Sequence, residues 1–141
     1  MSPAIPQVRK TGPKSYPVVE TVLGGQLVEG RTTGAGDSVG VAAAGTVKCM
    51  GVALNDAVAT LVTDPVNGVL DTAPRGTRTA VAKNVEAPVT YAAAANIGDK
   101  LIAASNGRVT PAGATPDART IVGECIEKVT VADTVAHAWI Y

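Results

Sequence analysis

The amino-acid sequence predicts an all-β protein, a small β-barrel or β-sandwich with at most short helical turns. Short apolar runs are interrupted about every 8 to 12 residues by turn-forming residues, which is typical of that class. The 141 residues include 15 Gly and 9 Pro but no Phe, so turns are frequent and the core consists of small side chains. The third observation is an internal repeat of a hairpin pattern.

The repeat is a gapless alignment of residues 36–47 on residues 98–109. Both copies begin with Gly-Asp, continue with a short apolar run and reach a second Gly nine residues after the first. In the second copy the turn is Asn106-Gly107, a strong hairpin signal because both central residues of a type I′ turn need positive φ. We therefore expect two similar Gly-Asp hairpin units that stack to bury one face each.

Strands are predicted wherever β-branched and apolar residues lie between turn signals. In chain order they are residues 16–23, 26–29, 58–63, 78–83, 87–91, 120–131 and 134–141. Pro88 favours an edge position for its strand, because proline cannot donate a hydrogen bond to a neighbour. Residues 52–59 and 92–95 have the propensity for a short helical turn.

The last strand alternates, so its side chains should point to two different faces. The smaller face consists of Ala136, Ala138 and Ile140. The larger face consists of Val135, His137, Trp139 and Tyr141.

Two regions of the chain are predicted, a flexible N-terminal arm over residues 1–15 and a single β-domain over residues 16–141. The arm contains Arg9, Lys10 and Lys14, and no acidic residue precedes Glu20. It has too little apolar surface to order by itself. Either it is a frayed terminus, or it orders on a partner whose carboxylates meet its cations.

Charge and hydropathy argue against several classes of partner. The formal net charge is zero, so no net field attracts nucleic acid or an anionic membrane. No apolar stretch approaches the roughly 20 residues of a membrane span, and the N-terminus does not resemble a signal peptide. We expect a soluble protein made in a reducing compartment. Cys49 and Cys125 then fit two buried free thiols better than a disulfide or a metal site.

Catalytic signals are sparse, and we expect no catalytic residues, cofactor or metal. His137 is the single histidine, and a partly buried structural imidazole is its commoner role. The segment Thr33-Gly34-Ala35-Gly36-Asp37 resembles the signature of ribokinase-type sugar kinases, in which the Asp acts as a base. In that family a helix follows the Asp directly, whereas Gly40 and Gly45 would weaken a helix here. A fragment of such a kinase is the remote alternative.

Residues 85–109, followed by Ile121-Val122-Gly123-Glu124-Cys125, resemble the small capsid decoration (cement) proteins of tailed bacteriophages. The resemblance covers about half of the chain and rests on Ala, Gly and Val. It implies a compact β-domain, usually a homotrimer, on the outer capsid surface, assembled in the host cytoplasm. The implied partner is the major capsid protein, with neither nucleic acid nor membrane.

The resemblance predicts a cement protein that stabilises the expanded phage head by bridging major capsid subunits. Arg9, Lys10 and Lys14 are the candidate capsid-binding residues, because an arm can add a strand to an exposed sheet edge. The alternative is another virion structural β-module, associated with the tail or with a fibre.

Overall fold

The computed structural model describes residues 12–32, 37–59 and 77–141. Ten strands occur there: β1 (Lys14–Pro17), β2 (Leu27–Arg31), β3 (Ser38–Val41), β4 (Cys49–Ala53), β5 (Arg78–Ala82), β6 (Val85–Tyr91), β7 (Lys100–Ala103), β8 (Val109–Pro111), β9 (Ile121–Cys125) and β10 (Thr134–Ile140). Two 3₁₀ turns, Ser105–Gly107 and Ala118–Thr120, are the helical segments of the described residues. The predicted fold class, all-β with short helical turns, is confirmed.

The strands form two units of the same topology. Unit 1 is a five-stranded sheet in the order β1-β5-β4-β2-β3, and unit 2 is a closed barrel. The barrel order, read from β6, is β6-β10-β9-β7-β8. Each strand of unit 1 therefore has a counterpart five strands later in unit 2.

The same kind of parallel bridge connects the two outer strands of each unit. In unit 2, Tyr91 of β6 pairs in parallel with Val109 of β8. In unit 1, Val18, which directly follows β1, forms a parallel bridge with Val39 of β3. Unit 1 is thus a more open version of the closed barrel that forms unit 2.

Local backbone geometry repeats as well. The amide of Leu23 donates to Oε1 of Gln26 at 2.9 Å, and the amide of Asn96 donates to Oδ2 of Asp99 at 2.8 Å. These turns lead into β2 and β7, which are counterparts in the two units. A Cβ at Gly51 of β4 would collide with the carbonyl oxygen of Ala82, as one at Gly123 of β9 would with that of Trp139. The chain is therefore an internally repeated structure over its whole described length.

An internal repeat is present as predicted, but each unit has five strands rather than one hairpin, and the alignment that suggested the repeat is in the wrong register. Asp37 precedes β3, whereas Asp99 precedes β7, whose counterpart is β2. The first predicted hairpin is also wrong, since β3 and β4 do not pair with each other but lie on either side of β2. Gly-Asp is a common turn pair that can precede any strand. In a chain rich in Ala, Gly and Val, the identical residues of the alignment therefore did not identify equivalent positions.

The second predicted hairpin is confirmed. Strands β7 and β8 pair antiparallel, with Ala103 opposite Val109. Asn106 has φ 60° and ψ 34°, and Gly107 has φ 67°. Both central residues of the turn therefore adopt the positive φ that a type I′ turn requires.

Three smaller expectations have different outcomes. The predicted helical turns over residues 52–59 and 92–95 are wrong, because Ala57 and Ala95 instead form antiparallel bridges with Val22 and Val129. The strand predicted over residues 58–63 lies almost wholly outside the described residues. Pro88 lies within the closed barrel rather than on an open edge, yet its strand pairs with β8 only at Tyr91, so proline's missing N–H removes no ladder bond there.

Two hydrophobic clusters form the core. The cluster inside unit 1 is small and contains only Val and Ala among its fully buried members: Val18, Val22, Val28, Val39, Ala53, Ala57 and Val81. The cluster of unit 2 contains larger side chains, including Tyr91, Leu101 and Ile140. Among the described residues, the larger side chains of Tyr16 and Met50 only border this cluster and are partly buried, so unit 1 has the thinner of the two cores.

The outward face of unit 1 completes the core of unit 2. Leu27, Val52 and Ala82 alternate with residues of the unit 1 cluster along their strands, so they point away from it. They belong instead to the unit 2 cluster, together with Ala87 and Val89 of β6, and are at most 3% exposed. One unit therefore fills an open end of the other.

Backbone contacts join the units at the same place. The amide of Gly45 in unit 1 donates to the carbonyl oxygen of Ala103 in unit 2 at 2.9 Å. The amide of Gly107 donates in the opposite direction, to the carbonyl oxygen of Ala42 at 3.3 Å. These exchanged hydrogen bonds fix the two units against each other.

Candidate functional site

One of the three predicted capsid-binding residues, Lys14, lies at the start of the first strand. Lys14 lies in β1, opposite Val81 of β5, and Ser15 follows it in the same ladder. The sheet therefore includes the last two residues of the predicted arm. Arg9 and Lys10 lie outside the described residues. Capsid binding by these residues and by Lys14 therefore stays a prediction, as does the division into an arm and one domain.

Lys14 stands at a cavity of about 620 Å³ in unit 1, which we call the unit 1 cavity. Its ammonium lies 5.2 Å from the centre of the Tyr16 ring. Apolar walls come from Val39, Val47 and Met50. The cavity is therefore partly aromatic and apolar, with a cation at its edge.

The unit 1 cavity has a small excess of unpaired positive charge. Its described lining residues include three cationic side chains, Lys14, Arg31 and Lys48, and one carboxylate, that of Asp37. Arg31 is ion-paired with Glu20 at 2.9 Å and with Glu29 at 3.2 Å. Lys14 and Lys48 are exposed at the surface, so this end of the molecule presents a weakly cationic apolar depression.

A second surface, which we call the Trp139 face, lies on the outside of unit 2 and consists of Lys100, Glu124, Trp139 and Tyr141. Trp139 is 42% exposed and Tyr141 is 41% exposed. Nζ of Lys100 lies 2.7 Å from the Tyr141 hydroxyl and 3.3 Å from Oε2 of Glu124. The Tyr141 hydroxyl and then Glu124 raise the pKa of Lys100 above its ordinary value. Large aromatic groups with satisfied polar neighbours are typical of interaction surfaces.

The alternation predicted for the last strand is confirmed. Ala136, Ala138 and Ile140 are buried, while Val135, His137, Trp139 and Tyr141 are exposed. Sequence reasoning therefore found the face that carries the aromatic residues, but it did not assign that face a binding role.

His137 lies nearer the surface than a core imidazole would, and its ring contacts a carboxylate of the neighbouring strand. The side chain of His137 is 51% exposed, and its Nδ1 lies 2.7 Å from Oε1 of Glu86 on the neighbouring strand. The backbone amide of His137 donates to Oε2 of Glu127 at 3.0 Å. Since β10 alternates and position 137 points outward, the ring lies on the surface with carboxylates.

Both cysteines have free thiols, Cys49 half-buried and Cys125 buried. Burial raises the pKa of the Cys49 thiol, which favours the neutral thiol. The Sγ of Cys125 donates to the carbonyl oxygen of Glu127 at 3.1 Å. The interpretation of both residues as small apolar groups is supported.

The kinase-like segment lacks the helix that its resemblance requires. Thr33, Gly34, Ala35 and Gly36 lie outside the described residues. Asp37 is exposed and is followed directly by strand β3. The remote sugar-kinase alternative is therefore corrected, because the chain after Asp37 is a strand of an all-β fold.

Among residues 12–32, 37–59 and 77–141, no cluster of three His, Cys, Asp or Glu side chains has the geometry to hold a metal ion. Within the same part of the chain, no helix has the length and apolar character to cross a membrane.

Comparisons with known proteins give a likeness among solved structures. No protein-family model matches the sequence, and no curated protein matches it. Among solved structures, the chain is similar to the crystal structure of the head fiber gp8.5 N base of bacteriophage phi29. The TM-score is 0.63 at 17% sequence identity, over 94% of this chain and 95% of the other.

At that identity the likeness shows a shared fold. It covers both units and nearly the whole of each chain, so the repeated architecture, and not just one barrel, is common to the two proteins.

Proposed function

We propose that this protein is a structural component of a tailed-bacteriophage virion, located on the outer surface of the head. The observation that carries the proposal is the whole-chain similarity to a head-fibre base. The resemblance of residues 85–109 and 121–125 to capsid decoration proteins points to the same particle independently. We propose that the protein is not an enzyme. We therefore expect no ATP hydrolysis by the wild type or by Asp37→Asn.

The finer proposal is a capsid decoration, or cement, role. The partner is the major capsid protein, the oligomer is a homotrimer, and assembly takes place in the host cytoplasm without nucleic acid or membrane. A protein that binds only the expanded lattice stabilises it by RT ln(1 + [L]/Kd). Several such contacts in one oligomer act together, so weak individual contacts give strong overall binding.

The alternative is a fibre-associated or tail-associated module. It is favoured by the neighbour, which is itself described as the base of a head fibre. A fibre base attaches to the head and carries a further part, whereas a cement protein bridges capsid subunits. The two roles share a head-binding surface but differ in whether binding stabilises the shell.

Cosedimentation tests both the head location and the cement role. Purified protein is mixed with expanded heads and, in parallel, with unexpanded procapsids of the phage that encodes it. Saturable binding to expanded heads, with a rise in their thermal rupture temperature, is expected for a cement protein. Saturable binding without that rise favours a fibre base, and binding to neither particle contradicts the proposed location.

A further inference from the structure

We propose that two copies of this chain dock head to tail, with the Trp139 face of one copy against the unit 1 cavity of the next. The inference deepens the homotrimer part of the proposed function. Its test uses the purified protein alone, so its failure leaves head binding unaffected.

The first argument is the equivalence of the Trp139 face to the internal interface. When the two units are matched strand by strand, the cross-strand pair Leu27–Val52 of unit 1 corresponds to the pair Lys100–Glu124 of unit 2. Val52 opposite Ala82 likewise corresponds to Glu124 opposite Trp139. In unit 1 these three positions are at most 3% exposed because unit 2 covers them. The same face of unit 2 is uncovered within one chain.

The second argument is the equivalence of the unit 1 cavity to the end of unit 2 that is filled internally. Lys14 pairs with Val81 in unit 1, as Ala87 pairs with Ala138 in unit 2. Ala87 belongs to the cluster that Leu27, Val52 and Ala82 complete. Lys14, in contrast, lies at an open cavity. As far as the described residues extend, each copy therefore has one receiving end that is not filled and one inserting face that is not covered.

The third argument is that the two surfaces are chemically complementary. Around Trp139 lie the carboxylates of Glu124 and of Glu86, which is opposite Trp139 in the β6–β10 ladder, with Lys100 as the cation. In the unit 1 cavity Arg31 is neutralised by Glu20 and Glu29, which leaves Lys14 and Lys48 against the carboxylate of Asp37, a small excess of positive charge among the described residues. The apolar walls of this cavity suit an indole ring, and Lys14 suits a carboxylate at the rim.

The chemistry of the Trp139 face also explains why the two interfaces differ. Charged residues at Lys100 and Glu124, where unit 1 has Leu27 and Val52, keep the face compatible with water before assembly. Trp is an effective anchor at such surfaces because it buries a large area with few rotatable bonds. Because the two contacting surfaces differ, the interface is heterologous, and the homotrimer of the proposed function requires a rotation of about 120° between successive copies.

Sedimentation equilibrium of the purified protein tests the contact. The wild type should self-associate, and Trp139→Ala should raise the dissociation constant about tenfold or more. Val131→Ala, at an exposed site near the other end of β10, is the matched control and should leave the constant unchanged. A wild type that stays monomeric up to about 1 mM contradicts the proposal.

A mixing experiment separates this geometry from a symmetric one. Trp139→Asp blocks the inserting face, and the double variant Lys14→Glu with Val47→Asp blocks the receiving cavity. Each should be monomeric and folded by circular dichroism, yet an equimolar mixture should form a 1:1 dimer through the one intact pair of surfaces. Self-association of the cavity variant alone, or a monomeric mixture, overturns the head-to-tail contact.

Discussion

At the residue scale, two turn glycines separate the cost of a left-handed backbone conformation from the cost of a steric clash. Gly45 and Gly107 have nearly the same positive φ, 68° and 67°. Nothing lies within 4 Å of a Cβ added at Gly45, whereas one at Gly107 would lie 2.8 Å from Cβ of Gln26 and 2.9 Å from the carbonyl oxygen of Leu27. Gly107 is therefore required by the interface between the units as well as by its own turn.

We predict different costs for alanine at these two positions. Gly45→Ala should lower the free energy of unfolding by about 1–2 kcal/mol, the cost of a left-handed L-residue. Gly107→Ala should cost about 1–3 kcal/mol more, because the units must separate slightly. Urea denaturation measures both, and equal losses would contradict the close approach of the β7–β8 turn to β2.

Tyr91 gives a prediction for alkaline pH. Its side chain is fully buried, and its hydroxyl donates to the carbonyl oxygen of His137 at 3.1 Å. Burial raises the pKa of Tyr91 far above its ordinary value, and the Cys125 thiol and the charge of Glu127 act in the same direction. The folded protein therefore keeps a proton that the unfolded chain releases at about pH 10.

This difference makes stability fall with pH above the unfolded-state value. The contribution of Tyr91 is fully present below about pH 10 and is lost progressively above it. Melting temperatures from pH 8 to 11 should fall more steeply for the wild type than for Tyr91→Phe. Parallel curves for the two proteins would contradict the burial of a neutral phenol.

At the element scale, strand β2 connects the two cores. Val28 points into the unit 1 cluster, while Leu27 belongs to the unit 2 cluster, although it comes from a unit 1 strand. The alternation of one strand thus supplies both hydrophobic clusters, and a change at Leu27 should affect unit 2.

Leu27→Ala should lower the free energy of unfolding by about 2–5 kcal/mol, because a fully buried leucine is truncated. Leu54→Ala is the matched control, since Leu54 is 51% exposed, and it should change stability by less than about 0.5 kcal/mol. Hydrogen exchange should show the loss of protection for Leu27→Ala in β6–β10 as well as in unit 1. A loss confined to β1–β5 would contradict the shared core.

The N-terminal residues can be tested apart from the sheet, because β1 begins at Lys14. A protein lacking residues 1–11 should keep the melting temperature of the full chain and lose binding to heads. The double variant Arg9→Gln with Lys10→Gln should also weaken binding to heads. Lys128→Gln, at an exposed site in the loop between β9 and β10, should not. Normal head binding by the shortened protein would exclude the arm as the capsid contact.

The sequence was informative wherever one residue type determines local geometry. Asn106-Gly107 predicted a turn with positive φ at both positions, and the alternation of residues 134–141 predicted which side chains are buried. The equivalence of β2 with β7 was not predictable from Gly-Asp, because that pair forms turns before strands of different position. The pairing of β1 with β5, far along the chain, has no local signal at all.

The Trp139 face shows the same limit for sites. Alternation alone identified Trp139 and Tyr141 as one face of a strand. The importance of that face follows from its equivalence to Leu27, Val52 and Ala82, which depends on strand pairing. By themselves, Lys100 and Glu124 form an ordinary exposed ion pair. The strand order shows that their counterparts in unit 1, Leu27 and Val52, are buried.

At the scale of the whole molecule, the chain is one repeated fold with unlike ends. Unit 1 completes unit 2 internally, which leaves a cavity at one end and an aromatic face at the other. The similarity to a head-fibre base extends over both units. A module that joins copies to one another and attaches to a shell needs two such different surfaces, together with a third that contacts the shell.

Cryo-electron microscopy of the virion tests the central claim, that this protein is located on the phage head. We predict density for the two-unit fold on the outer surface of the capsid, absent from particles of a phage in which the gene is deleted. Density for the same fold in the tail, or no such density anywhere on the particle, would contradict the account.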